Sequence, residues 1–239
     1  MDPILLVRCD DAETFGIAPS ALENAGAPTA IWDALDGEPR PSLDHISGVV
    51  LFGSSYNVEH ADEQPFIKDA RELTLDAIER RLPYLGICFG AQMLAWSLDA
   101  PVMKAADREV GFEVVRPTDA AASDPLLGHY AGGDRVFQWH MDTFELPRGA
   151  TLMARGDRVV NQAFRIGDRT WGVQWHLEID RPEMEHWLDA FERADGPLET
   201  SWGKPASNVR AEADRFLVDH ETRGRAVFTR FAAVTDGVR

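Results

Sequence analysis

The stretch Tyr84-Leu85-Gly86-Ile87-Cys88-Phe89-Gly90-Ala91-Gln92 constrains this chain more than any other part of it. Tyr84–Cys88 reads as a short buried strand behind Pro83, and Ala91–Leu98 as the helix that follows it. Gly86 and Gly90 bracket Cys88, and small residues at those positions let a chain turn sharply from strand into helix and lift the central side chain above the sheet edge. A helix that starts just after Cys88 directs N–H groups and the positive end of its dipole at the sulfur, which favours thiolate over thiol. The Phe89 N–H is placed there to receive an oxyanion. An isolated cysteine is most often a core residue, and that is the reading for Cys9, which ends a strand without such a turn.

The first hundred residues alternate apolar runs with longer amphipathic segments, the rhythm of βαβ units around a parallel sheet. Ile4–Cys9, Thr29–Trp32 and Gly48–Phe52 read as strands. From Phe66 to Leu82 the apolar positions recur at threes and fours, predicting a helix that Pro83 ends. Past residue 110 the texture changes to strands separated by polar turns: Phe112–Val115, Val136–Trp139, Thr151–Ala154, Ala163–Ile166 and Trp171–Gln174, an antiparallel or mixed extension. Glu183–Ala194 reads as a helix behind Pro182. Gly203-Lys204-Pro205 marks a break before a last helix pair, about Asn208–Thr222 and Arg225–Ala233. The expected architecture is a three-layer α/β sandwich over residues 1–200, with a mostly parallel central sheet and its site at the carboxyl ends of the strands. A helical extension, 201–239, packs on the same domain.

The 24 Lys and Arg against 40 Asp and Glu give a formal charge of -16, which repels phosphate backbones and anionic lipid, so neither nucleic acid nor membrane is an expected partner. The apolar stretch in Met1–Arg8 is too short for a signal peptide or a membrane span, which predicts a cytoplasmic protein. Two cysteines, Cys9 and Cys88, cannot build a disulfide framework, and no paired metal ligands stand at useful spacing, so neither metal nor cofactor is expected.

A thiolate nucleophile needs a base and a third group to hold that base in the right tautomer. Trp175-His176-Leu177-Glu178 supplies both, because two residues apart on extended chain the imidazole and the carboxylate project from one face. Gln138-Trp139-His140-Met141-Asp142 offers the same pairing at His140 and Asp142, and residue chemistry alone does not separate the two. His45, His60, His129, His186 and His220 lack a partnered motif and read as surface or helix histidines.

Gly86-Ile87-Cys88-Phe89-Gly90-Ala91-Gln92 together with Trp175-His176-Leu177-Glu178 resembles the class I glutamine amidotransferases, in that family's order and approximate spacing, over about residues 4–195. The resemblance implies a flavodoxin-like sheet and a Cys88-His176-Glu178 triad, which settles the base as His176. It implies glutamine hydrolysis through a γ-glutamyl thioester, with ammonia passed to an acceptor. It also implies an oxyanion hole from the Gly53 and Phe89 N–H groups, with Gln92 recognising the substrate side chain. The Trp139-His140-Met141 segment would bind the substrate's α-amino and carboxylate ends through its backbone. Two departures stand out: Ala91 occupies a position where many relatives carry histidine, and Phe52-Gly53-Ser54 stands where Gly-Gly-Pro is common.

An amidotransferase needs an acceptor site. The residues left over are too few for a synthetase, and no Gly-Lys-Ser/Thr phosphate loop is present, which places any synthase on a separate chain. A γ-glutamyl peptidase or hydrolase would use the same triad on a γ-glutamyl compound other than glutamine. A binding module would keep the fold without turnover.

Overall fold

A computed structural model describes residues 2–237. In chain order the elements are β1 (Ile4–Arg8), α1 (Ala18–Asn24), β2 (Thr29–Asp33), β3 (Gly48–Leu51), α2 (Pro65–Glu79), β4 (Tyr84–Ile87), α3 (Phe89–Ser97), β5 (Val102–Pro117), β6 (Asp134–Phe144), β7 (Thr151–Gly156), β8 (Asn161–Ile166), β9 (Thr170–Val173), α4 (Arg181–Asp195), α5 (Leu198–Trp202) and α6 (Ala206–Asp236). They build one nine-stranded sheet in the order β2-β1-β3-β4-β9-β8-β7-β5-β6. The first five of these strands are parallel, and the remaining four continue the sheet antiparallel. The chain has the expected flavodoxin-like three-layer fold, with the parallel block forming one half of the sheet and the antiparallel extension the other.

β1, β3, β4 and β9 are apolar or small almost throughout, as strands covered on both faces must be. Alternation then sorts their side chains. Ile4, Leu6, Val50, Leu85 and Ile87 pack with α1 and the second half of α6, while Leu5, Val7, Val49, Leu51 and Tyr84 pack with α2 and α3. A third apolar cluster joins Phe112 and Phe137 of the β5–β6 hairpin to α4, α5 and the first half of α6. The register pairs Leu51 with Gly86, Gly86 with Gly172 and Ile87 with Val173, so the carboxyl ends of β3, β4 and β9 finish side by side.

Three expectations need correction. The last helix pair is one continuous helix, α6, of 31 residues and about 46 Å. Gly224, between the two expected helices, is where the single helix presses against other backbone: a Cβ there would overlap the Leu177 carbonyl oxygen and stand 3.0 Å from Ile17 Cδ1. β5 begins ten residues before the predicted Phe112: Val102–Lys104 pairs with β6, and the largely exposed Ala105–Arg108 that follows shows no apolar alternation. The register shift between Lys104 and Glu109 hides it further. α1 and α5 were not expected at all, and at seven and five residues they are too short to show a helical period.

α6 also buries His220, whose Nε2 donates to the His176 carbonyl oxygen at 2.8 Å. His220 is a helix histidine as expected, but one inside the core. Burial pushes its pKa down to about 4, so it stays neutral in the folded chain where the unfolded chain would protonate it.

Two outcomes are expected from α6. Gly224→Ala, which in an ordinary helix would stabilise by about 1 kcal/mol, here lowers stability by about 1–3 kcal/mol through overpacking on Leu177, read by thermal unfolding. His220 is depressed in the folded state, so its contribution is intact above the unfolded pKa and is lost as pH falls toward about 4. Wild type should therefore lose about 2 kcal/mol between pH 7 and pH 5 relative to His220→Gln, which keeps a donor but cannot titrate. Parallel melting curves at the two pH values would contradict this.

Candidate active site

The turn from β4 into α3 places Cys88 in the left-handed region, at φ 51 and ψ -105, a strained setting for a side chain with a Cβ. The flanking glycines are required by contact rather than by φ. A Cβ on Gly86 would overlap the Gly90 carbonyl, and one on Gly90 would overlap that of Leu51. The Cys88 N–H donates to Val173 O at 2.8 Å, which ties the elbow to the end of β9. Phe89 is the first residue of α3, where no helical turn consumes the N–H group. Cys88 is only 4% exposed, and its sulfur has Trp139 O at 3.9 Å and Gln174 Nε2 at 3.6 Å.

His176 and Glu178 follow β9 in irregular chain, with Nδ1 and Oε1 at 2.6 Å and both side chains buried. The strand-like projection expected of this pair is thus replaced by bent chain, held from three sides. The His176 N–H donates to Phe137 O at 3.0 Å, and Ile17 N–H donates to Glu178 O at 2.9 Å. Gly224 presses on the Leu177 carbonyl between them. The edge of Trp187 meets the imidazole at 4.8 Å between centroids. Burial alone would drive the His176 pKa down; the charges of Glu178 and Cys88 and the hydrogen bonds to both outweigh it and hold His176 well above the usual histidine range. This places the imidazole between the Cys88 sulfur and a buried carboxylate.

Gly53, two residues past β3, completes the arrangement. A Cβ there would stand 2.7 Å from His176 Cε1 and 3.8 Å from Cys88 Cβ, so this glycine alone allows backbone to reach the dyad. Gln92 is nearly fully buried, and its Nε2 lies 3.4 Å from both Asp142 O and Gln174 Oε1. Trp139 and Met141 are half-buried on β6. His140 is occupied elsewhere: Nε2 faces Glu109 Oε2 at 3.0 Å and Nδ1 faces Asp142 O at 3.0 Å. That arrangement separates the two histidine motifs, since only His176 has a nitrogen available to the sulfur. Cys9 is fully buried, and burial pushes its thiol far above the usual cysteine range, with Asp10, Glu13 and Asp33 adding to it.

Sequence reasoning missed three neighbours of the triad. Gln174 touches the sulfur. Glu13 is buried, and burial together with repulsion from Glu178 and Glu183 holds its carboxyl well above the usual range. Glu183, which accepts from Thr14 N at 2.9 Å and from the Thr14 hydroxyl, is raised to about 7, chiefly by burial. Only Gln174 carried a local signal, standing two positions before His176. Among the described residues no group of three or more His, Cys, Asp or Glu side chains is placed to hold a metal ion, and no helix is long and apolar enough to cross a membrane.

Residues 20–192 match the family model described as glutamine amidotransferase class-I. A GMP synthase (glutamine-hydrolyzing) from Porphyromonas gingivalis is 36% identical over 146 residues, which are 59% of this chain and 26% of that protein. The chain therefore spans about a quarter of the length of that relative. A glutamine amidotransferase-like protein from Salmonella typhimurium is 28% identical over 148 residues, 61% of this chain and 62% of the relative. The crystal structure of a glutamine amidotransferase from Thermotoga maritima superposes with a TM-score of 0.85 at 27% identity, covering 96% of this chain and 97% of that one. With most of its length matched by the family model and with this fold, the chain belongs to the class I glutamine amidotransferase family.

Proposed function

We propose that the chain hydrolyses the side-chain amide of glutamine through a γ-glutamyl thioester on Cys88. The observation that carries this reading is the convergence of Cys88, the proton-holding His176 with Glu178, and the close-approaching backbone of Gly53 at one strand-end crevice. The Cys88 thiolate attacks the carbonyl carbon, and the Gly53 and Phe89 N–H groups receive the charge that develops on oxygen. His176 then gives its proton to the departing nitrogen, which leaves as ammonia. In the second half His176 takes a proton from water as the water attacks the thioester, and glutamate leaves as the sulfur is restored. Glu178 accepts from Nδ1–H and keeps the ring in that tautomer. In this reading Gln92 and the backbone of Trp139, His140 and Met141 form the substrate side of the crevice, with Gln92 acting through its contacts to Asp142 O and Gln174.

The ammonia acceptor would lie on a synthase unit outside these residues, a reading prompted by the likeness to a GMP synthase described as glutamine-hydrolyzing. A cytoplasmic setting fits a nucleophile that must remain a thiol. One observation favours a second reading. Trp139 packs against Trp187, Phe191 and Trp202 at centroid distances of 6.2, 5.8 and 6.0 Å, and all four are half-buried. An aromatic wall of this kind beside the dyad suits a γ-glutamyl amide with a bulky apolar amine, the substrate of a γ-glutamyl peptidase.

The deciding measurement is ammonia and glutamate release from glutamine by the purified chain, with γ-glutamyl dipeptides in parallel. Cys88→Ala should lose at least about 10³-fold in turnover with an unchanged melting temperature. Gly53→Ala should lose about 10²-fold in kcat, because its Cβ displaces the His176 ring and the oxyanion donor together. Turnover of dipeptides alone would transfer the assignment to the peptidase. Turnover of neither, with or without a synthase partner, would leave a binding module.

A further inference from the structure

We infer that Gln174 is a catalytic residue whose side-chain N–H group holds the Cys88 sulfur as a thiolate. The inference rests on Cys88 being the nucleophile and goes beyond the triad. Gln174 is 0% exposed, immediately after β9, and its Nε2 lies 3.6 Å from Cys88 Sγ. An amide placed this way could present either its nitrogen or its oxygen to the sulfur, and only the nitrogen would stabilise negative charge.

The surrounding hydrogen bonds decide which. The Asp142 backbone carbonyl can only accept, and it lies 3.4 Å from the Gln92 amide, so that end of Gln92 is the NH₂ group. The same NH₂ lies 3.4 Å from the Gln174 amide, which must answer with its oxygen. The Gln174 NH₂ is thereby turned to the sulfur. The chain of constraint extends one step back, because His140 Nδ1 also meets Asp142 O at 3.0 Å and Glu109 holds the far side of the imidazole at 3.0 Å. A fixed carbonyl on β6 thus orients two amides in series, and the last of them donates to the nucleophile.

The sulfur has partners of opposite kind. Trp139 O at 3.9 Å can accept from the thiol S–H, whereas Gln174 Nε2 can only donate. Loss of the S–H proton removes the first interaction and strengthens the second, since a donor to an ionised acceptor forms the stronger bond. The ionisable group facing Cys88 is His176, backed by Glu178, and both are the same in every variant below.

The test is the pH dependence of Cys88 alkylation by iodoacetamide, in which the thiolate forms the C–S bond and iodide leaves; it needs no substrate. Gln174→Met keeps the volume and loses the donor. Gln174→Glu keeps the shape and presents an acceptor. The midpoint of the rate profile should rise in Gln174→Met, with labelling at pH 7 slowed about tenfold, and should rise further in Gln174→Glu. Cys9 is fully buried and labels only on unfolding, so its silence certifies each variant as folded. If both variants expose Cys9, Gln92→Met frees the Gln174 amide to turn without touching residue 174 and carries the same expected rise. Profiles coincident with wild type in the folded variants overturn the inference. Shifted profiles in a chain inert toward glutamine and dipeptides would sustain the role of Gln174 while sinking the hydrolase reading.

Discussion

The site depends on how three residues of irregular chain, His176 to Glu178, are held in place. No helix or strand ladder fixes them, yet they carry a buried ion pair whose worth collapses if its geometry loosens. Their backbone polar groups are satisfied one by one from distant elements: Phe137 O on β6, His220 on α6, and the Ile17 N–H beside α1. Two glycines let those elements come close enough. Gly224 brings α6 onto the Leu177 carbonyl, and Gly16, at φ 45, passes where a Cβ would overlap the Glu178 carbonyl. The β5–β6 hairpin, α6 and the chain leading into α1 are therefore organised around a segment that has no regular structure of its own.

The electrostatics of that segment need a second arrangement. Glu178 and Glu183 both repel charge on Glu13, Glu178 also repels it on Glu183, and three buried charges in one place would be prohibitively costly. The cost is avoided by unequal treatment. Glu178 faces the imidazole and shares its charge with His176, while burial and repulsion favour the protonated form of Glu13. Glu183 is spread between the Thr14 N–H and hydroxyl. Of the three, Glu178 is the carboxylate that faces the imidazole, and its charge helps hold His176 well above the usual histidine range despite burial.

What was legible in the sequence was what is local. The elbow could be read because Gly86, Cys88 and Gly90 fall within five residues and each meets a demand of the same turn. The parallel strands could be read because burial on both faces makes them continuously apolar. The errors came from long-range demands that imitate local signals. Gly224 looks like a helix breaker and is a contact point for Leu177, 47 positions away in the chain. The two histidine motifs are alike within three residues and are separated by Glu109, which occupies His140 from 31 positions away. Glu13 and Glu183 carry no motif, since their role is to surround a carboxylate that the chain brings to them only after folding.

The antiparallel extension can then be understood as part of the site rather than as an addition to the sheet. The β5–β6 hairpin lays Trp139 O beside the sulfur, gives Phe137 O to the His176 N–H, and supplies the Asp142 carbonyl that orients Gln92. Its buried polar residues Glu109, His140 and Gln138 are joined with Gln162 of β8 by bonds of 2.7 to 3.0 Å. Such a network specifies one arrangement because any slip strands a buried donor or acceptor. A sheet of parallel strands alone could raise Cys88 on its elbow, but it offers only strand ends and no fixed carbonyl above them. Placing a long hairpin over the crevice provides the donors and acceptors that a nucleophile, its base and a polar substrate require, at the cost of a site that sequence periodicity does not reveal.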